Sequence, residues 1–265
     1  MNIKDIFKRK PTRYFDKIYN DAGEAARNSS GYEDPGLVET VLRKTKLYRE
    51  GLLTGKYHLS VLGKRISREM IDLANTIDRP LRILDIGGAM GVHYFECMQT
   101  VASESIDSWI ILETPSCCEA VSGVSEFNSL KFHSDPSVIV QSNPDIIMFN
   151  GSLQYMSEPD GSLQAALNTG AVKILLNRLP ILDSGSVTQI AVQGVALSQH
   201  GPYEDEIGAD IETSMPVNIF GKNHLLNIWE SHDKYELVYN EINEGPNVLE
   251  NGSIFHFYDL KLERK

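Results

Sequence analysis

The chain has 265 residues, 42% of them apolar, and a formal net charge of −11, enough to bury one large domain or a domain with an appendage. No apolar run approaches the ~18–20 residues that span a bilayer. Lys4, Lys8, Arg9 and Lys10 flank only Ile6 and Phe7, which excludes a signal-peptide core, so a cytoplasmic protein is expected.

Residues 1 to about 36 carry breakers at Gly23, Gly31, Pro35 and Gly36 and are expected to be irregular. Helices are predicted over 37–49 and 59–77. In the second, Leu62, Ile66, Met70, Leu73 and Ile77 recur on one face, and Pro80 ends it. Short apolar runs then alternate with helical stretches: strand 81–86, helix 91–103, strand 108–113, helix 115–122, strands 130–133 and 145–150, helix 159–168, strand 172–177. This rhythm predicts an open, mostly parallel α/β sheet. A helix near 221–231, a strand near 234–240 and a last strand near 253–262, expected at an edge or in a hairpin, complete the chain. Residues 184–216 form an insertion with a strand-like run from Val187 to Val195, and long connections of this kind are often lids.

Charge is unevenly placed: residues 1–70 hold 15 Lys/Arg against 9 Asp/Glu, whereas the remainder holds 10 against 27. The acidic body argues against a nucleic-acid partner, which needs clustered cations. The acidic cluster of Glu204, Asp205, Glu206, Asp210 and Glu212 has no metal-ligand spacing and reads as a solvated loop, so no metal is expected. Three cysteines, Cys97, Cys117 and Cys118, form no Cys-x-x-Cys pair and read as reduced packing thiols.

The chemistry concentrates at strand ends, where open α/β sheets bind ligands. Ile83-Leu84-Asp85-Ile86-Gly87-Gly88-Ala89-Met90-Gly91 is a strand, an acid and a loop without bulky side chains. Such a loop lets a nucleotide approach the backbone closely. A dinucleotide fingerprint would need a third glycine where Val92 stands. The pattern resembles motif I of class I S-adenosylmethionine (SAM) methyltransferases. That resemblance implies a Rossmann-like sheet of seven strands with an antiparallel closing strand, and SAM as cofactor over Asp85, Gly87, Gly88, Ala89 and Gly91. Glu113, 22 residues after Gly91 at the end of the second strand, stands where a carboxylate accepts ribose hydroxyls. Asp135 either reads the adenine amino group or caps a helix begun by Pro136. Asn150 and Gly151 open the loop above which methyl transfer occurs in that class.

Gly151-Ser-Leu-Gln-Tyr-Met156 and Leu175-Leu-Asn-Arg-Leu-Pro180, followed by Thr188-Gln189, add a second resemblance over about residues 80–230. It is to a little-characterised bacterial family of SAM-dependent methyltransferases often associated with cell-surface polysaccharide biosynthesis. The resemblance implies fold and cofactor; the acceptor is expected to be a small or glycan-linked molecule methylated at oxygen, with a homodimer left open. His93 and Tyr94 match a His-Tyr pair of that family. His93 reads either as the general base for an acceptor hydroxyl or as a residue bonding the loop backbone. Arg178 reads as a clamp for an acceptor anion or an anchor of its own loop. Tyr155 completes the catalytic candidates, and Tyr94, Gln154, Gln189 and His200 are candidates to contact the acceptor. The expected organisation is a helical N-terminal cap over 1–77 and the SAM-binding domain over 78–265. A scaffold that binds SAM without catalysis and a nicotinamide-dependent oxidoreductase are the alternatives.

Overall fold

The computed structural model describes residues 13–185, 187–196 and 212–265. The main sheet has seven strands in the order β4-β3-β2-β5-β6-β10-β9. Its members are β2 (Leu81–Ile86), β3 (Ile106–Leu112), β4 (Lys131–His133), β5 (Ile146–Asn150), β6 (Lys173–Leu182), β9 (Tyr235–Val248) and β10 (Ile254–Arg264). The pairs β2/β3, β2/β5, β3/β4 and β5/β6 are parallel, and β10 runs antiparallel to both β6 and β9. The final strand therefore lies inside the sheet, and β9 is its edge.

Alternation along the central strands sends neighbouring residues to opposite faces. Ile83, Ile146, Met148 and Leu175 join one apolar core, and Leu84, Ile147, Ile174 and Leu176 join the other. The first core is covered by two N-terminal helices, α2 (Pro35–Leu53) and α3 (Val61–Ala74). Asp34 caps α2 by accepting from the Leu37 N–H at 3.0 Å, and Ser60 caps α3 by accepting from Gly63 at 2.9 Å, each satisfying a donor the helix leaves unpaired. From these helices Leu37, Val41, Ile66, Met70 and Leu73 share a core with Trp109 and Ile111. The N-terminal helices are thus packed on the sheet itself. The second core is covered by α7 (Pro159–Asn168) and α8 (Lys222–Glu230) through Leu163, Leu167, Leu225 and Ile228.

Shorter helices complete the fold: α1 (Ala22–Arg27), α4 (Val92–Cys97), α5 (Pro115–Val121) and α6 (Val138–Gln141). The helix expected over 91–103 stops at Cys97, after which single turns carry the chain to Val101.

The front of the chain differs from the irregular stretch expected there. Arg13–Tyr19 is a strand, β1, which pairs antiparallel with β7 (Gln189–Ala196), itself paired with β8 (Glu212–Ile219) in a second, three-stranded sheet. Residues 189–196 and 212–216 of the 184–216 insertion are therefore β-structure, joined through β7 to the N-terminal segment. Strand β6 also continues past its expected end at 177, and a parallel bridge from Ile181 to Phe220 joins it to the residue following β8. No helix among the described residues is long and apolar enough to cross a membrane.

Candidate active site

The carboxyl ends of β2, β3, β5 and β6 open into one cavity of about 880 Å³, roofed by α2, α3 and the second sheet. Small-molecule sites range over roughly 300–1,000 Å³, so a nucleotide fits with room for a second molecule.

Residues Gly87, Gly88 and Ala89 form the floor. Gly87 has φ +68°, and a Cβ there would collide with the side chain of Ser152; a Cβ on Gly88 would lie 2.6 Å from Asp85 Cγ. Only side-chain-free residues let the backbone fold this tightly against the acid. Gly91, with φ 78°, precedes α4 and lies outside the cavity lining.

Asp85 is fully buried beneath this floor. Its Oδ1 receives a long 3.4 Å bond from Asn150 Nδ2, and its Oδ2 has no hydrogen-bond partner among the described residues. Burial pushes its carboxyl up to about 6, reinforced by the Glu113 charge and opposed by His93. A buried acid with an orphaned oxygen is unfavourable in isolation and is common where a ligand or solvent completes the site.

Glu113 lines the cavity. Its Oε1 accepts from the Ala89 N–H at 3.0 Å and its Oε2 from the Thr114 N–H at 2.8 Å; burial nonetheless raises its pKa. One bond thus ties the end of β3 to the glycine loop.

His93 also lines the cavity. Its Nδ1 lies 3.1 Å from Glu96 Oε2, leaving Nε2 as the ring nitrogen available to a ligand. Glu96 is 1% exposed; its Oε1 accepts from Tyr48 Oη at 2.9 Å and from the Ser60 N–H at 2.7 Å. Burial alone would lower the His93 pKa, but the bond to Glu96 and the Asp85 and Glu96 charges outweigh it and raise the value. For Glu96 burial acts upward, and His93 with the Ser60 groups holds the net value below the usual range. Both N-terminal helices reach this acid, Tyr48 from α2 and Ser60 from the cap of α3. Glu96 had no motif to mark it; its spacing of three from His93 on a helix was the available signal.

A second polar chain runs beneath the cavity. Asn150 Oδ1 accepts from Asn177 Nδ2 at 2.6 Å, Asn177 Oδ1 accepts from Arg65 Nη2 at 2.7 Å, and Arg65 Nη1 donates to Asp259 at 2.9 Å. Asp259 also accepts from the Arg178 backbone N–H at 2.8 Å. Arg178 holds φ +55° within β6, a conformation rare outside glycine. Its side chain reaches the cavity, lies 5.9 Å from the Phe257 ring centroid and sits 3.6 Å from Glu244.

Among the other expected site residues, Asn150, Gly151, Gln154 and Tyr155 line the cavity, and Tyr155 donates to Gln193 at 2.6 Å. Besides Asp85 and Gly91, three expected residues do not line it. Tyr94 packs edge-on against Trp109, ring centroids 5.4 Å apart; Asp135 accepts from the Ser137 N–H at 2.8 Å, closing the turn at Pro136; and Gln189 donates to Ser253 at 3.1 Å. His200 lies outside the described residues, as do Glu204, Asp205, Glu206 and Asp210. Burial raises the thiols of Cys97 and Cys117 to about 12, consistent with packing roles. No metal-ligating cluster occurs among the described residues.

No protein-family model and no curated protein matches the sequence. Among solved structures, a SAM-dependent methyltransferase from Clostridium acetobutylicum superposes with a TM-score of 0.50 at 9% identity, over 84% of this chain and 98% of that one. A 1,6-didemethyltoxoflavin N1-methyltransferase from Burkholderia thailandensis gives 0.47 at 11% identity, over 97% of each chain. An amino pentose methyltransferase from Micromonospora echinaspora gives 0.41 at 14% identity, over 79% and 98%. With the strand order above, the first of these shows that the chain has the class I methyltransferase fold.

Proposed function

We propose that this protein is a SAM-dependent methyltransferase that transfers a methyl group to an oxygen of a small acceptor. The observation that carries the reading is one cavity in which the glycine floor over Asp85, the Glu113 carboxylate and the His93 ring meet beneath an apolar roof. SAM fits the first two: its amino acid moiety would lie over Gly87–Ala89 and its ribose hydroxyls would face Glu113. Bound there, SAM supplies an activated methyl group. Val92 lines the cavity in place of the third glycine of a dinucleotide fingerprint, which favours SAM over a nicotinamide cofactor.

The chain's own task is positioning and proton removal. In this reading His93 takes the acceptor proton through Nε2, and Glu96 fixes the ring by holding Nδ1. Tyr155, bonded to Gln193, orients the acceptor. The test is incubation with isotopically labelled SAM and a panel of hydroxylated metabolites, read by product mass. Transfer of the labelled methyl to one of them is expected; cofactor binding with no transfer to any favours the non-catalytic scaffold.

Two variants separate the roles. Glu113→Ala is expected to weaken S-adenosylhomocysteine binding by about 1–3 kcal/mol, the loss of a charge-assisted pair of hydrogen bonds, measured by calorimetry. Glu96→Gln keeps the shape of the hub and removes the charge that raises His93. The base works deprotonated, so the rising limb of the pH–rate profile is expected to move to lower pH. An unmoved limb would assign Glu96 to packing alone.

A further inference from the structure

Resting on the reading above, the apolar walls of the cavity define the acceptor. Leu37, Val38 and Val41 of α2 face the cavity together with Leu62, Met215 and Phe257. Tyr32 and Tyr155 close it with rings 5.2 Å apart at 59°, an arrangement that presents aromatic edges and faces to a flat guest. Among the described residues, the charged side chains that reach the cavity are Glu113, His93, Glu158 and Arg178. Glu113 belongs to the floor, and Arg178 has Glu244 3.6 Å from its guanidinium. A phosphorylated sugar would therefore meet one already paired cation and a largely apolar wall, at the full cost of shedding its hydration.

We propose that the acceptor is a planar hydroxylated aromatic compound, its ring held among Tyr32, Tyr155 and the α2 side chains and its hydroxyl presented to His93. A phenol, with a pKa of about 10, is within reach of an imidazole base, whereas an aliphatic hydroxyl is far more reluctant to give up its proton. The phenolic proton passes to His93 as the oxygen forms its bond to the methyl carbon. The carbon–sulfur bond breaks with its electron pair retained on sulfur, giving an aryl methyl ether, S-adenosylhomocysteine and a protonated His93 that discharges to solvent.

The experiment is ligand-observed NMR on protein saturated with S-adenosylhomocysteine, with 2-naphthol, glucose 1-phosphate and a sugar nucleotide as probes. Binding of 2-naphthol is expected, weakened at least ~10-fold in both Val38→Asp and Tyr32→Ala, with neither sugar probe bound. Retained S-adenosylhomocysteine affinity in each variant certifies its fold. Sugar probes binding in place of 2-naphthol, no probe binding, or 2-naphthol binding indifferent to both substitutions would overturn the assignment. Failure of S-adenosylhomocysteine itself to bind the wild-type protein would overturn the methyltransferase reading first.

Discussion

Replacing His93 by alanine is expected to lower the methyl-transfer rate by about 10²- to 10⁴-fold, the range supplied by a positioned general base, while S-adenosylhomocysteine affinity stays nearly intact. The base contributes only in the transition state, so the loss falls on kcat rather than on cofactor binding. The direction in which the His93 pKa is displaced sets the accompanying pH signature. Because Glu96 and Asp85 raise that pKa, the wild-type rate should rise with pH through an inflection above 6.5, the ordinary histidine value. The variant should lose this inflection and climb instead toward the ionisation of the acceptor itself, where no base is required. Single-turnover rates from about pH 5.5 to about pH 10 check both features. A wild-type profile in His93→Ala would reduce catalysis here to positioning alone.

Asp85→Asn is expected to stabilise the ligand-free protein at neutral pH by up to about 3 kcal/mol, even as it weakens cofactor binding. The folded-state carboxyl lies near 6 against an ordinary 3.8, so between those values the folded protein holds a proton that the unfolded chain has released. Stability from this group therefore falls as pH rises from 3.8 to about 6 and stays reduced above it. A tenfold weakening of an acid corresponds to about 1.4 kcal/mol. The rise at Asp85 therefore sets the upper limit of the gain, roughly 5–10 °C in Tm for a chain of this size. The gain should be present at about pH 7.5 and nearly absent at about pH 4. Destabilisation at the higher pH would mean that the carboxylate is satisfied in the folded protein. Retention of an unfavourable buried acid at the base of a ligand cavity is the trade-off expected of a binding site.

The sheet was legible because its signals are local. The β2 run with its glycine loop, and the helix over 159–168 that recurs as Pro159–Asn168, can be read from a few adjacent residues. What the sequence hid depends on distant partners. Strand β1 carries strand-forming Tyr14, Phe15, Ile18 and Tyr19, but its partner β7 lies more than 170 positions later. Glu96 resembles any helical glutamate until Tyr48 and Ser60, 48 and 36 positions earlier, donate to it. Tyr94 shows the reverse limit. It adjoins His93 in sequence, yet successive residues on a helix diverge by about 100°, and Tyr94 turns toward Trp109 instead. Arg65 was legible only as part of an amphipathic helix, although the structure joins it to Asn177 and Asp259 beneath the site.

Calorimetric titration of the purified chain with S-adenosylhomocysteine, and separately with NAD, tests the central claim most directly. One molecule of S-adenosylhomocysteine bound per chain, with no heat from NAD, is the predicted result. Binding of NAD with none of S-adenosylhomocysteine would contradict the account, since the floor over Asp85 and the carboxylate of Glu113 would then serve a nicotinamide cofactor.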